Sequence, residues 1–223
     1  MRNNASKIFP TSAPINVRLD IPAGRIQFIA ADRADSTVEV RPASSSSNQD
    51  VAAAERVQVA HQDGVLRIEA APAGNRLLGS SGSVEVTVQL PAGSRVDAKT
   101  ASADIRGVGR LGDVTVESAQ GTIKLDETIS ARLTLQAGDI TVGRLGGPAE
   151  IRTQHGDLTV TEAVTGAVTL RTDKGDITVG AVSGSLDAGT TYGRIDNALR
   201  NTGDSDLTLH ATTSFGDISA RSL

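Results

Sequence analysis

From Ala137 onward the polar and apolar positions repeat one phrase: small or polar residue, Gly, Asp, aliphatic, Thr, Val. It reads Ala137-Gly138-Asp139-Ile140-Thr141-Val142, then His155-Gly156-Asp157-Leu158-Thr159-Val160, then Lys174-Gly175-Asp176-Ile177-Thr178-Val179. Weaker copies stand at Ala103-Asp104-Ile105, Gly121-Thr122-Ile123, Gly193-Arg194-Ile195 and Gly216-Asp217-Ile218. The apolar anchors are Ile105, Ile123, Ile140, Leu158, Ile177, Ile195 and Ile218, at steps of 18, 17, 18, 19, 18 and 23 residues. A period near 18 built from strand-forming residues predicts an all-β fold, a parallel β-solenoid (β-helix-like) in which each coil lies on the last.

One coil runs from residue 168 to 186. Val168 and Leu170 alternate with Thr169 and Arg171, the period-2 pattern of a strand with one buried face. Thr172-Asp173-Lys174-Gly175 turns the chain, Ile177 and Val179 supply a second inward pair, and Val182 fills a corner before Gly184. Glycine falls two residues before the anchor at Gly121, Gly138, Gly156, Gly175, Gly193 and Gly216, with Ala103 the exception, so the same turn is made each time. A single coil buries too little apolar surface to fold alone. The seven anchors are therefore expected to form one internal column, each resting on its neighbours.

Before residue 96 the rule is looser. Alternation marks Ile15-Val17-Leu19-Ile21, Ile26-Phe28, Val38-Val40, Val57-Val59, Leu66-Ile68 and Val84-Val86-Val88-Leu90. Ser44 to Asn48 reads as a loop, Asp50 to Arg56 as a short helix, and Leu78 to Gly82 as a second loop tip. The organisation expected is a tail over residues 1–13, an irregular N-terminal β cap over 14–95 that caps or starts the solenoid, and regular repeats over 96–223. One continuous domain is the reading, with a small sandwich-like unit as the alternative for 14–95. After Ile218 too few residues remain for a capping element, so the last coil should leave backbone groups unpaired. The plain reading is a short strand frayed by Arg221; the functional one is end-to-end dimerisation or filament growth.

Composition narrows the function. The net charge is −4 and the 22 basic residues form no cluster, which argues against a nucleic-acid partner. Aromatics make up 2% (Phe9, Phe28, Phe215 and Tyr192), too few for the stacking platforms of sugar or single-strand binders. There is no Cys, hence no thiolate metal site, and no run approaches the ~20 apolar residues of a membrane span. The opening Met1 to Lys7 lacks a signal-peptide core, so the expectation is a cytoplasmic protein as written, with envelope association through a partner.

Candidate chemistry centres on Asp139, Asp157 and Asp176, equivalent positions on three consecutive coils. Carboxylates stacked about 4.8 Å apart repel by about 1 kcal/mol even in water, so something must relieve them. The structural answer is that each accepts backbone N–H groups in its own turn, with Arg194 pairing to Asp176. The alternative is a Ca²⁺ ion held between rungs, although the denser Gly-Gly-x-Gly-x-Asp code of Ca²⁺-binding solenoids is missing. A second row, Thr100, Ser118, Thr153, Thr172, Thr190 and Thr213, suggests hydroxyls bonded along the rod. Gly107-Val108-Gly109-Arg110-Leu111-Gly112 matches G-x-G-x-x-G, but a strand follows it where nucleotide chemistry needs a helix N-terminus. His61, His155 and His210 show no metal-ligand spacing, and no Gly-x-Ser-x-Gly elbow is present. Nothing in the sequence points to a catalytic residue or a cofactor.

Three segments carry a family resemblance: Pro14-Ile15-Asn16-Val17, the central Gly82-Ser83-Val84-Glu85-Val86-Thr87-Val88-Gln89-Leu90-Pro91-Ala92-Gly93-Ser94, and the Gly-Asp-Ile copies. Over Ile8 to Leu223 the chain resembles the bacterial putative-adhesin family of β-strand-repeat proteins of unknown function. The resemblance implies a β-solenoid and a surface or envelope-linked role; it supplies no active-site residue. The function expected is a non-enzymatic scaffold or protein-interaction module, self-associating through its C-terminal edge or binding a protein partner. An adhesin-like envelope protein is the alternative and a glycan-active solenoid enzyme a distant third.

Overall fold

The structure, a computed structural model, describes residues 5–71, 82–199 and 208–222. The expected loop tip at 78–81 lies outside them. The first strands are β1 (Ala5–Pro10), β2 (Asn16–Asp20), β3 (Ala23–Ala31) and β4 (Asp35–Pro42), followed by helix α1 (Asn48–Glu55). Then come β5 (Val57–Gln62), β6 (Val65–Ala70), β7 (Val84–Pro91), β8 (Arg95–Gln120) and β9 (Ile123–Ala137). The regular part continues with β10 (Ile140–Leu145), β11 (Ala149–His155), β12 (Leu158–Ala163), β13 (Ala167–Lys174) and β14 (Ile177–Val182). It closes with β15 (Ser185–Tyr192), β16 (Ile195–Leu199), β17 (Thr208–Phe215) and β18 (Ile218–Ser222).

These strands form a β-solenoid of about six turns spaced by about 19 residues, bounded by the seven anchors. Two ladders of parallel strands run along it. One joins β8, β9, β10, β12, β14, β16 and β18; the other joins β8, β9, β11, β13, β15 and β17. The register sets Ile105, Ile123, Ile140, Leu158, Ile177, Ile195 and Ile218 opposite one another in sequence, and all but Ile218 are buried. Burial alternates along each strand because successive side chains point into and out of the tube; β7 reads buried, half-buried, buried in turn over Val84–Leu90.

The N-terminal part breaks the order. β2 and β3 pair in parallel with β8, so residues 16–31 are the coil that adjoins the regular repeats. Residues 65–70 and 84–91, later in sequence, stack on the far side of that coil through β6–β2 and β7–β3. Beyond them β4 and then β1 add antiparallel on one ladder, and β5 adds antiparallel on the other. The chain thus reverses direction at this end, and α1 spans the reversal between β4 and β5. The helix begins at Ser47, whose hydroxyl accepts the Asp50 N–H, and covers Asn48–Glu55 where Asp50–Arg56 is expected.

The core is aliphatic, with Phe28 its one fully buried aromatic. One position departs from this. Val142, Val160 and Val179 form an internal column, and the next rung is Asn197, 2% exposed, with neither side-chain polar atom hydrogen-bonded. An unsatisfied buried amide costs about 1–3 kcal/mol. Replacing Asn197 by the valine of the three preceding coils is therefore expected to stabilise the protein by about 1–2 kcal/mol. Leu158→Ala, which opens a cavity in the adjoining column, should destabilise by about 2–5 kcal/mol. Urea titration of both variants against the wild type reads the two shifts.

Candidate functional site

The repeated turn is a hydrogen-bonded clip between coils. At each turn the Gly N–H donates to the carbonyl that precedes the next coil's Gly: Gly138 to His155 at 2.8 Å, Gly156 to Lys174 and Gly175 to Tyr192 at 2.9 Å. Two residues on, each anchor N–H donates to the carbonyl at the next coil's Asp position: Ile140 to Asp157 and Leu158 to Asp176 at 2.9 Å, Ile177 to Arg194 at 2.8 Å. Between these, Asp139 Oδ1 accepts the Asp157 N–H and Asp157 Oδ1 accepts the Asp176 N–H, both at 2.8 Å.

The aspartates therefore reach across to the following coil, where the sequence reading has them bonding within their own turn. The reason is geometric. Parallel coils in register bring the same N–H of the next turn under each carboxylate, while the Gly and anchor N–H groups of its own turn are already donated to the next coil's carbonyls. Arg194 does meet Asp176, but through its backbone N–H at 2.7 Å. At the other end Asp104 Oδ1 takes both the N–H and the hydroxyl of Thr122, at 3.1 and 2.8 Å. A charge-assisted bond of this kind offsets the repulsion along the row without an ion. Among the described residues no three His, Asp or Glu side chains converge where a metal ion would sit.

Glycine is required at the turn. Gly156 has φ +145°, and a Cβ there would stand 2.1 Å from the Gly138 carbonyl oxygen. The other five turn glycines share this approach to the coil before, and so does Gly24, whose Cβ would meet the Val84 oxygen at 1.9 Å. Gly24 pairs with Ala103, so Gly24-Arg25-Ile26 is a further copy of the repeat. Its likeness to Gly193-Arg194-Ile195 is the signal that could have revealed it.

The buried hydroxyl row closes the clip from the other side. Thr172 Oγ1 donates to the Gly156 carbonyl at 3.0 Å, Thr190 to Gly175 at 3.1 Å and Thr213 to Gly193 at 3.2 Å; Thr153 reaches Gly138 at 3.3 Å. The expected hydroxyl-to-hydroxyl bonding occurs only in Thr100 to Ser118, at 2.7 Å. Ser118 donates in turn to the Gln120 carbonyl at 3.0 Å, and the four threonines use glycine carbonyls.

The remaining polar features are spread out. A cleft of about 380 Å³ lies between β3, β7 and β8, where Arg25 pairs with Glu85 at 3.0 Å and Asp104 is already engaged by Thr122. Arg110, Glu127, Arg144 and Glu162 alternate in register along the outside, with Arg144 and Glu162 3.5 Å apart. His61 lies against Phe9, His155 occupies a turn and His210 stands on β17, so the structure does not bring them together. The G-x-G-x-x-G stretch falls inside β8, where the register slips between Gly107 and Arg110 and Gly109 takes φ +78°. Its glycines serve a β-bulge.

The last coil differs from all the others. Ile218 is 46% exposed, Leu209 and Ala211 are half-buried, and Phe215 is 63% exposed. Phe215 stacks on Tyr192, 53% exposed, with ring centroids 4.8 Å apart and planes 6° from parallel. Among the described residues no strand pairs with the outer edges of β17 and β18. The sequence points to the open edge but not to this aromatic pair, although both rings stand immediately before a turn glycine.

A family model described as Toastrack DUF4097 matches residues 16–222. No curated protein matches the chain. Solved structures align over nearly their full length at low identity. One is described as a putative adhesin from Parabacteroides distasonis: 15% identity, 98% of this chain and 96% of that one, TM-score 0.47. A putative adhesin from Bacteroides fragilis follows at 16%, 100% and 98%, TM-score 0.45. A putative lipid binding protein from P. distasonis gives 13%, 99% and 97%, TM-score 0.43. No helix among the described residues is long and apolar enough to cross a membrane.

The clip makes two tests. Gly156→Ala should destabilise by about 1–3 kcal/mol, because the new Cβ forces two backbones apart. Asp157→Ala should cost about 1 kcal/mol and Asp157→Asn only a few tenths, since the amide oxygen still accepts the Asp176 N–H. Second, melting temperature should not respond to Ca²⁺ or to a chelator; a rise with Ca²⁺ that Asp157→Ala abolishes would assign an ion to the row.

Proposed function

We propose that this chain, which belongs to the Toastrack DUF4097 family, works as a non-enzymatic scaffold that engages protein through the open end formed by β17 and β18. One observation carries the reading: the anchor column, sealed over six rungs, ends on a half-exposed Ile218 beside unpaired strand edges. Such an edge offers main-chain donors and acceptors for an added strand, while the apolar positions alternating along it give side-chain contacts. The middle coils offer no comparable site, since their turn donors and acceptors are consumed by the coils on either side.

A glycan-active role finds little to work with. Asp139, Asp157 and Asp176 each hold a neighbouring backbone N–H. Activity on polysaccharides that disappears in Asp157→Asn would overturn the non-enzymatic reading.

The end itself is tested with Ala220→Glu, which places a charge on an exposed position of β18, in register with Asn197 at the open end of the column. Wild-type protein and this variant, used as baits in the source cell's extract, should differ: a protein captured by the wild type is lost with Ala220→Glu. Identical capture by both baits would remove the edge from consideration.

A further inference from the structure

We propose that the occupant of the open end is a second copy of this chain, joined tail to tail by antiparallel pairing of β18 with β18 and centred on Ser219. The inference rests on the reading of that end as the docking surface and goes on to fix partner, symmetry and register.

The register follows from the backbone. In a strand the N–H and C=O of one residue point to the same side, and successive residues alternate. The Ile195 N–H donates to the Asp217 carbonyl at 2.9 Å. Asp217, Ser219 and Arg221 therefore turn their main-chain groups back towards β16, and the free edge is made by Ile218, Ala220 and Ser222. In an antiparallel ladder the residues with outward groups face each other as hydrogen-bonded pairs. Pairing Ile218 with Ala220 of the second copy satisfies the outward groups of both residues, and two-fold symmetry repeats the pair.

That register has a consequence in charge. It sets Asp217 directly opposite Arg221 of the second copy, and Arg221 opposite Asp217 of the second copy. Both oppositions fall at non-hydrogen-bonded positions, where side chains of facing strands come closest. Sliding the strands by one allowed step in either direction loses both. The edge is thus complementary to itself in one arrangement. The same pairing puts Ile218 and Ala220, on the inward side, against their counterparts and closes the tube over the half-exposed end of the anchor column.

The opposite end explains why such contacts close a dimer and do not grow a filament. There the outermost strands run antiparallel to their neighbours; β1 ends in Pro10, and Lys7 Nζ donates to the Val59 carbonyl of β5 at 3.0 Å. Proline and lysine on an edge are the usual means of blocking strand addition. Among the described residues this leaves the tail to pair, and it pairs with another tail.

Charge exchange with light scattering tests this. Wild-type protein should pass from monomer to dimer mass as concentration rises. D217R and R221D each set like charges opposite one another twice, and each should weaken the dimer by about tenfold or more. An equimolar mixture of the two variants, and the double variant D217R/R221D, should both recover it, because opposite charges face again in each. Both side chains are solvent-exposed, so unchanged melting temperatures confirm that the variants fold. A wild type that stays monomeric overturns the proposal, as do single variants that dimerise normally or exchanges that restore nothing. These failures are separable from failure of the edge reading: a monomeric chain whose captured partner is lost with Ala220→Glu keeps the edge and loses the second copy.

Discussion

Every coil in this protein is held at one register by hydrogen bonds that the coil cannot make by itself. Parallel strands have no hairpin to fix their alignment, and a slip of one residue would turn every inward side chain to solvent. The clip at the turn removes that freedom. Gly approaches the backbone of the coil before, Thr ties its carbonyl from beneath, and Asp takes the N–H of the coil after. Each element works only if adjacent coils are aligned residue for residue, so the turn enforces the register on which the aliphatic columns depend.

This explains what was legible in the chain and what was not. A contact made between equivalent positions leaves a periodic trace, and the anchors Ile105 to Ile218 and the turn glycines could be read from spacing alone. Direction leaves no such trace: the sequence shows an Asp at each turn but not whether it bonds backward, forward or within its loop. Nor does it show the order of layers where the repeat fades. Residues 16–31 precede 65–70 and 84–91 in the chain yet lie nearer the regular coils, because β4, α1 and β5 carry the chain outward and back. Gly24 was hidden for a simpler reason. Its coil lies some eighty residues before Ala103, the residue it stacks on, so no fixed period connects them.

Local stability should be uneven along such a rod. An interior coil draws on both neighbours, while a terminal coil draws on one, so fraying begins at the ends. At the N-terminal end antiparallel strands and α1 cover the last layer. The C-terminal end has the reverse treatment: Asn197, a buried amide without a partner, interrupts the valine column one rung before the exposed layer. Its cost falls where the coil already has fewest contacts. A last coil that is poorly held alone gains most from whatever covers it.

Binding capacity in a repeat of this kind is set by which groups the repeat itself leaves unused. In the middle coils the turn donors and acceptors are spent on neighbours, the outward charges alternate as Arg110, Glu127, Arg144 and Glu162, and the hydroxyls are turned inward to glycine carbonyls. Such a surface has its turn groups committed to the coils on either side. Unused capacity gathers at the last described coil: the outward N–H and C=O groups of Ile218 and Ala220, the stacked faces of Tyr192 and Phe215, and a half-covered aliphatic column. Because these arise from terminating the same repeat that builds the rod, the proposed second copy presents a matching edge. Symmetry then requires that edge to tolerate its own reversal, and the placement of Asp217 and Arg221 on either side of Ser219 meets that requirement.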